Sequence, residues 1–158
     1  MFLRRKEKEI RNKDEIEAML RNGEVCRIGL CDGNIPYVIP INYAYHDGCL
    51  YFHSASEGKK IDIIRKNNIV CFELDIMHQL VKTDVSCHWG VKYESVIGFG
   101  KAFFVEANDE KAKTLDLIMR HYDKENSGQE KSYEYNEAMV KRVTIIKIEI
   151  SEMTGKRA

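Results

Sequence analysis

The chain has 158 residues, of which 44% are apolar and 32% charged, and its 25 Lys and Arg residues balance 25 Asp and Glu residues. Length and composition are typical of a single soluble globular domain, covering residues 1–158. Nucleic acids and anionic membranes both favour a basic excess in their protein partners. The neutral balance therefore argues against nucleic acid or a membrane as the main partner.

The first 13 residues are the exception to this balance. Their positive charges are Arg4, Arg5, Lys6, Lys8, Arg11 and Lys13, against Glu7 and Glu9. We interpret this segment as a solvated basic arm, because its charges only partly cluster. No apolar run follows the charges, so they are not typical of a secretory signal. Five cysteines without a C-x-x-C pair then predict free thiols in a reducing compartment, and hence a cytoplasmic protein.

The first half of the chain predicts one helix followed by a meander of strands. A helix capped near Asn12 and ending at Gly23 would bury Ile16, Met19 and Leu20. Alternating apolar residues then indicate strands at 25–31, 35–45 and 49–53. The segments DGN and HDG between them are typical of hairpin turns, so these strands should pair antiparallel.

The second half adds three strands and further helices. Ser54 or Ser56 should cap a helix with a short apolar edge at Ile61 and Ile64, and Ser54 with Glu57 has capping-box spacing. Strands are predicted at 69–75, 93–106 and 143–150. Residues 76–92 combine a strand extension with a loop that contains Cys87, His88 and Trp89.

A further helix is predicted after Asn108 and Asp109, which should cap it. Its predicted apolar face consists of Ala112, Leu115, Ile118, Met119 and Tyr122. The polar segment 124–141 should be loop-like, with a short helix at its end. Six strands with a few short helices predict a mainly β fold, an antiparallel barrel-like sheet. Because Pro40 cannot donate a ladder hydrogen bond, the second strand should lie at an edge or carry a bulge.

The segment 54–60 is the strongest candidate for ligand binding. A helix that begins there presents free backbone N–H groups and the positive end of its dipole, beside Lys59 and Lys60. This combination is typical of an anion site, above all for a phosphate monoester. The same pattern also occurs in ordinary capped helices with solvated lysines, so the local sequence leaves both interpretations open.

Other reactive residues give weaker signals. Cys87 and His88 are adjacent, and on an extended segment their side chains would point apart. The five histidines (His46, His53, His78, His88 and His121) lack metal-ligand spacing, so no metal site is predicted. Trp89 could belong to the core or line a ligand pocket.

Several longer blocks carry a family resemblance. They are PYVIPINYAY, then DGCLYFHSASEGKKIDIIRKNNIVCFE, the triplet CHW, YESVIGFGKA and the closing EMTGKRA. Together they span roughly residues 4–157, and they resemble the nitroimidazole-resistance (Nim) branch of the pyridoxamine 5′-phosphate oxidase-like family. The resemblance implies a six-stranded split β-barrel that forms a homodimer and binds FMN in two clefts between the subunits.

The resemblance also implies which residues would hold the cofactor. Val38, Ile39, Pro40, Ile41 and Asn42 would follow the flavin ring and ribityl chain, with Phe52 and His53 near the phosphate end. Lys59 matches the phosphate lysine of related oxidases, and Ser54 and Lys60 would assist it. Those oxidases carry an arginine just before this lysine, where this chain has Gly58. Tyr43, His88 and Trp89 are assigned to the substrate side, and no residue stands out as a general acid.

The end of the chain, SEMTGKRA, lacks the basic, histidine-containing motif of true pyridoxamine-phosphate oxidases. We therefore expect an FMN-dependent oxidoreductase that passes electrons to a small acceptor such as a nitroaromatic compound, and not the vitamin B6 enzyme. The alternative is a flavin- or heme-binding module of the same fold without turnover. A heme would need an axial ligand, for which the histidines offer no recognisable context. A deazaflavin is a further cofactor that proteins of the same fold bind.

Overall fold

The computed structural model describes residues 5–124 and 133–158. Residues 1–4 of the basic arm and residues 125–132 of the polar segment lie outside the described part. The strands are β1 (Glu9–Ile10), β2 (Cys26–Asp32), β3 (Ile35–Ile41), β4 (Ala44–His46), β5 (Cys49–Ser54), β6 (Ile69–Val81), β7 (Gly90–Val105) and β8 (Thr144–Arg157). The helices are α1 (Lys13–Asn22), α2 (Lys59–Lys66), α3 (Asn108–Tyr122) and α4 (Glu137–Arg142), with 3-10 turns at Lys6–Lys8 and Ser86–His88.

All strand pairs are antiparallel, in the order β3-β2-β6-β7-β8-β5-β4, with β1 added to β8. The sheet curls around one core without closing, which confirms the predicted split β-barrel. The described residues form eight strands where six were predicted. The strand predicted at 35–45 is interrupted after Ile41 into β3 and β4, and Glu9–Ile10 forms the additional β1.

Among the described strands, β3 pairs with β2 alone, so it forms one edge of the sheet. This placement confirms the expectation drawn from Pro40, which needs no ladder partner for the N–H group it lacks. The backbone groups along the edge of β3 that faces away from β2 therefore have no strand partner in the described chain.

The core lies on the concave side of the sheet. It is built by alternate residues of the strands, among them Ile28, Phe72, Leu74, Val96 and Ile148, all fully buried. Helix α1 contributes Ile16, Met19 and Leu20 as predicted, and α2 contributes Ile61, Ile63 and Ile64. Because α2 buries three isoleucines, it holds the β5–β6 connection firmly against the barrel.

Two predicted helix caps are wrong. Helix α2 begins at Lys59 after Gly58 and has no side-chain cap, so the Ser54–Glu57 capping box does not form. Helix α3 begins at Asn108 after Ala107, also without a side-chain cap. The predicted face of α3 is wrong in part: Ile118 is buried, but Met119 is exposed, and Lys111 and Thr114 are buried instead.

Two residues near the end of the basic arm belong to the sheet. Glu9 and Ile10 pair with Lys156 and Gly155 of β8, and Ile10 is buried in the core. The solvated-arm interpretation is therefore wrong for these two residues, since Ile10 supplies an apolar side chain that packs. No helix of the described residues is long and apolar enough to cross a membrane.

The end of α3 is tied to the end of α1 by hydrogen bonds. Nε2 of His121 lies 2.6 Å from the Gly23 carbonyl oxygen, and the Tyr122 hydroxyl donates to the Glu24 carbonyl oxygen at 2.6 Å. The Tyr122 hydroxyl also accepts from the N–H of Tyr43 at 3.0 Å. This junction fixes the β3–β4 connection against both helices.

His121 makes the junction sensitive to pH. Burial lowers the pKa of His121 below its ordinary value near 6.5, and Lys124 lowers it further. The unfolded chain then binds more protons than the folded one between the two pKa values, so the free energy of unfolding should fall as the pH falls below about 6.5. Urea unfolding at about pH 7.5 and about pH 5.5 should show this loss in the wild type and a smaller loss in His121→Gln. Equal losses in both proteins would contradict the role of His121.

Candidate functional site

The structure brings the predicted phosphate lysine next to the edge strand. The ammonium of Lys59 lies over the ring of Tyr37 on β3, 4.8 Å from the ring centroid. A cation at this distance from an aromatic face is attracted by the ring quadrupole. Tyr37 was not among the predicted site residues, although its alternation with Ile39 and Ile41 could have placed it on the same face of the strand. The start of α2 thus lies next to strand β3.

The start of α2 offers free hydrogen-bond donors. Gly58 precedes the helix with φ 123° and ψ 166°, a conformation that only glycine adopts readily. The N–H groups of Ile61 and Asp62 bond to the Gly58 carbonyl, whereas those of Lys59 and Lys60 precede the first helical hydrogen bond. These two N–H groups and the positive end of the helix dipole favour an anion. This backbone geometry explains the glycine at position 58.

The predicted residues on β3 alternate between solvent and core. Val38 is 63% exposed, and Pro40 and Asn42 are also exposed. Ile39 is half-buried against the core, and Ile41 is buried. A ligand on the solvent-facing side of this segment can therefore contact the side chains of Val38, Pro40 and Asn42. It can reach only the backbone of Ile39 and Ile41.

The predicted residues on β5 and α2 differ in accessibility. The Phe52 side chain is fully buried in the core, whereas His53 is exposed. The Ser54 hydroxyl is buried and has no hydrogen-bond partner in the described chain. Lys59 is exposed and Lys60 is half-buried. On this side of the site, the accessible side chains are His53, Lys59 and Lys60.

Of the three residues assigned to the substrate side, Tyr43 lies in the core. Its side chain is fully buried, and its hydroxyl donates to the Leu20 carbonyl oxygen at 2.7 Å. Burial raises the pKa of the Tyr43 hydroxyl well above its ordinary value. Tyr43 therefore holds α1 in place, and its hydroxyl is unavailable to a substrate.

His88 and Trp89 lie together at the end of a long hairpin formed by β6 and β7. The Trp89 ring is 48% exposed, its Nε1–H donates to the Thr83 carbonyl oxygen at 2.8 Å, and the Lys82 ammonium lies 5.2 Å from its ring centroid. His88 is exposed in the adjacent 3-10 turn. Further apolar side chains of the hairpin are exposed as well, namely Met77, Leu80, Val85 and Val91. The hairpin presents an apolar surface that the described part of the chain leaves exposed.

The convex face of the sheet is a second exposed apolar surface. The register places Val38 of β3 in one row with Gly29, Cys71 and Phe99. Ile97 and Ile69 lie in the rows beside it, and both are exposed. An ion-pair cluster crosses this face, in which Arg27 bonds to Glu73 at 3.0 Å and to Asp75 at 2.7 Å.

The thiols and acidic groups form no further site. All five cysteines are free, and burial raises the pKa of Cys26 to about 12, which keeps this thiol protonated and unreactive. Among the residues that the structure describes, no three His, Cys, Asp or Glu side chains gather as metal ligands. A groove of about 590 Å³ lies elsewhere, between β1, α1 and β8.

The comparisons with known proteins agree with this architecture. A candidate 5-nitroimidazole antibiotic resistance protein from Bacteroides thetaiotaomicron is 35% identical, with a TM-score of 0.81, and the match covers 94% of this chain and 86% of that one. The flavocytochrome Anf3 from Azotobacter vinelandii is 16% identical, with a TM-score of 0.83 over 99% of this chain and 72% of that one. A FAD-binding protein from Mesorhizobium loti is 24% identical, with a TM-score of 0.68 over 93% and 95%.

An uncharacterised protein of Rhizobium meliloti is 31% identical over 74 residues. That match spans 47% of this chain and 45% of the relative, so the chain aligns with somewhat less than half of this curated relative. The sequence profile of the family described as pyridoxamine 5′-phosphate oxidase matches residues 12–157. Since this match includes every element from α1 to β8, the chain belongs to the pyridoxamine 5′-phosphate oxidase family.

Proposed function

We propose that the protein is a cytoplasmic, homodimeric, FMN-dependent oxidoreductase of the nitroimidazole-resistance type, which reduces a small nitroaromatic acceptor. The observation that carries the proposal is the junction of the uncapped α2 start, with Lys59, and the exposed edge strand β3. The 35% identity to the Bacteroides thetaiotaomicron protein, spread over 94% of the chain, supports the choice of branch.

The phosphate of FMN would bind at the start of α2. Lys59 supplies a positive charge, and the N–H groups of Lys59 and Lys60 supply two donors in a fixed orientation. Lys60 is close enough in sequence to add a second charge, whereas the enclosed Ser54 hydroxyl is left out of this assignment. A phosphate monoester matches these groups, which favours FMN over a flavin without a terminal phosphate.

The flavin ring would lie along the outer side of β3. An isoalloxazine needs an apolar wall and a few polar contacts along one edge, and here Val38 and Pro40 supply the wall. The unpaired backbone of the edge strand and the Asn42 side chain supply donors and acceptors. When bound, FMN provides the redox chemistry, and these residues orient it and limit the access of water.

A second copy of the chain would complete the cleft. The convex face exposes Val38, Ile69, Ile97 and Phe99, and exposed apolar side chains of this kind are often covered by a protein partner. In a symmetric dimer the same face of both subunits is covered. The exposed hairpin with His88 and Trp89 would then reach the flavin of the other subunit and close its substrate side.

The substrate would be a small planar acceptor and not a B6 vitamer. The segment Ser151–Ala158 belongs almost entirely to β8 and carries no histidine, so it does not offer the basic motif of true pyridoxamine-phosphate oxidases. Trp89 is the accessible aromatic ring on the proposed substrate side, and it suits stacking with a nitroaromatic compound.

A second candidate is a flavin- or heme-binding module without turnover. It is favoured by the similarity of the fold to that of the flavocytochrome Anf3. Both candidates use the same cleft, so they differ only in whether a reduced flavin passes electrons onward.

The visible spectrum of the purified protein, together with chromatography of the released cofactor, separates FMN, FAD and heme. Anaerobic mixing of the photoreduced protein with a 5-nitroimidazole should then reoxidise the flavin. The same imidazole without its nitro group is the matched control and should leave the flavin reduced. A flavin that stays reduced with both compounds would contradict the oxidoreductase proposal and support the binding module. A Soret band would overturn the flavin assignment.

A further inference from the structure

A small polar cavity lies between the end of β7, the starts of α3 and β8, and the outer side of α2. Its volume is about 150 Å³, and it is lined by the cations Arg65 and Lys111, the hydroxyls of Ser56 and Thr144, and the carboxylate of Glu106. None of these five residues belongs to the proposed flavin site, and α2 contributes to both places through different turns.

The donors of this cavity lack acceptors within the described chain, with Lys111 buried at its inner end and Arg65, Ser56 and Glu106 exposed at its mouth. Lys111 is only 9% exposed, and its ammonium donates one hydrogen bond, to the Val143 carbonyl oxygen at 3.0 Å, of the three that it can make. Arg65 contacts the Phe104 ring, 5.7 Å from the centroid, which leaves the edges of the guanidinium free. Within residues 5–124 and 133–158, Arg65 and Lys111 form no ion pair, and the hydroxyls of Ser56 and Thr144 form no hydrogen bond.

A buried ammonium without a counter-ion is costly, and a cavity of converging donors reduces this cost when it holds an anion. Two cations and one carboxylate give the lining a net charge of about +1 at neutral pH. A cavity of about 150 Å³ has room for several water-sized groups, which suits a tetrahedral oxyanion. We infer that it binds a phosphate group.

Glu106 decides which oxyanion is accepted. A carboxylate repels an oxyanion that carries only acceptors, as sulfate does at neutral pH. Phosphate keeps a proton under the same conditions, and its P–OH group donates to the Glu106 carboxylate while the other oxygens accept from Arg65, Lys111 and the hydroxyls. The cavity therefore selects phosphate over sulfate.

The test is a titration of the purified protein with inorganic phosphate and with sulfate at constant ionic strength, followed by calorimetry and by thermal unfolding. Phosphate should raise the unfolding temperature, and sulfate should have a much smaller effect. Arg65→Gln should weaken phosphate binding about tenfold or more, the loss of one charge-assisted hydrogen bond. Lys66→Gln, its exposed neighbour on α2, is the matched control and should leave the affinity unchanged.

Glu106→Gln provides a readout that a structural role would not move. The amide no longer repels sulfate, so sulfate should bind this variant about as well as phosphate does. Phosphate binding that is absent from the wild type, or unaffected by Arg65→Gln, would overturn the inference. Flavin-free Lys59→Ala, in which the start of α2 has lost its cation, should bind phosphate with the same affinity in the cavity, and this titration separates the inference from the proposed function.

A comparison of variants identifies the source of the phosphate group. Phosphate should stabilise the FMN-loaded protein, in which FMN occupies the start of α2, and Arg65→Gln should remove this effect while leaving the FMN affinity unchanged. If Arg65→Gln also weakens FMN binding, the cavity holds the phosphate of the flavin, and the inference of a separate site is wrong.

Discussion

Lys59→Ala is expected to weaken FMN binding by about 1.5–3 kcal/mol, because one charge-assisted hydrogen bond to the phosphate is lost. This corresponds to a dissociation constant about 10- to 150-fold higher, measured by quenching of flavin fluorescence during titration of the flavin-free protein. Lys59 is exposed and its only described contact is with the Tyr37 ring, so the fold should tolerate the substitution. The thermal unfolding of the flavin-free variant should confirm this.

Two variants control this experiment. Lys66→Ala removes a lysine of the last turn of the same helix and should leave the affinity unchanged. Lys59→Arg keeps the charge and should retain most of the affinity. If Lys59→Ala binds FMN as tightly as the wild type, the phosphate lies elsewhere, and the Arg65–Lys111 cavity becomes the place to look for it.

Local sequence patterns predicted the strands well, because each strand carries its own signal. The alternation of Cys26, Ile28 and Leu30 marks one face of β2, and all three are buried. The DGN segment was sufficient to place β3 next to β2, and Pro40 predicted an edge or a bulge, of which the structure shows the edge. These features depend on residues that are close in sequence, where backbone geometry and periodicity act directly.

The helix boundaries were harder to predict, because side-chain caps are only one way to begin a helix. Serine and asparagine near 54 and 108 matched the capping pattern, yet α2 begins after Gly58 and α3 after Ala107. At Gly58 the positive φ places the chain so that the first turn packs Ile61 into the barrel. Tertiary packing thus outweighs the weaker local preference for a capping side chain.

The contacts of the site depend on the curvature of the sheet. Lys59 meets Tyr37 only because the open barrel brings α2 back to the edge strand. In the same way, Lys111 had the sequence pattern of a solvated face, and it is buried because α3 packs with that face inward. No spacing in the sequence predicts such a contact. The family resemblance could indicate Lys59, because related sequences share the fold in which these residues meet.

The second large effect is expected at Gly98, in the middle of β7. A Cβ atom at this position would overlap the ring of Phe72 on β6 and lie 2.7 Å from the Glu152 carbonyl oxygen of β8. Glycine therefore allows the fully buried Phe72 ring to lie across β7. Gly98→Ala forces this ring or the adjacent strand to move, and overpacking of this kind costs about 1–3 kcal/mol or more. Urea unfolding should show a lower midpoint with an unchanged slope.

Gly90→Ala is the matched control, since it is the first residue of the same strand and a Cβ atom there would contact nothing within 4 Å. It should be neutral or slightly stabilising, because alanine restricts the unfolded chain. Phe72→Leu shortens the overlapping side chain, so the double variant with Gly98→Ala should lose less stability than the two single variants together. The rescue should be partial, because the contact with the Glu152 carbonyl persists. Purely additive losses would show that the ring does not occupy the space that Gly98 leaves, and the inner wall of the barrel would then have to be packed differently.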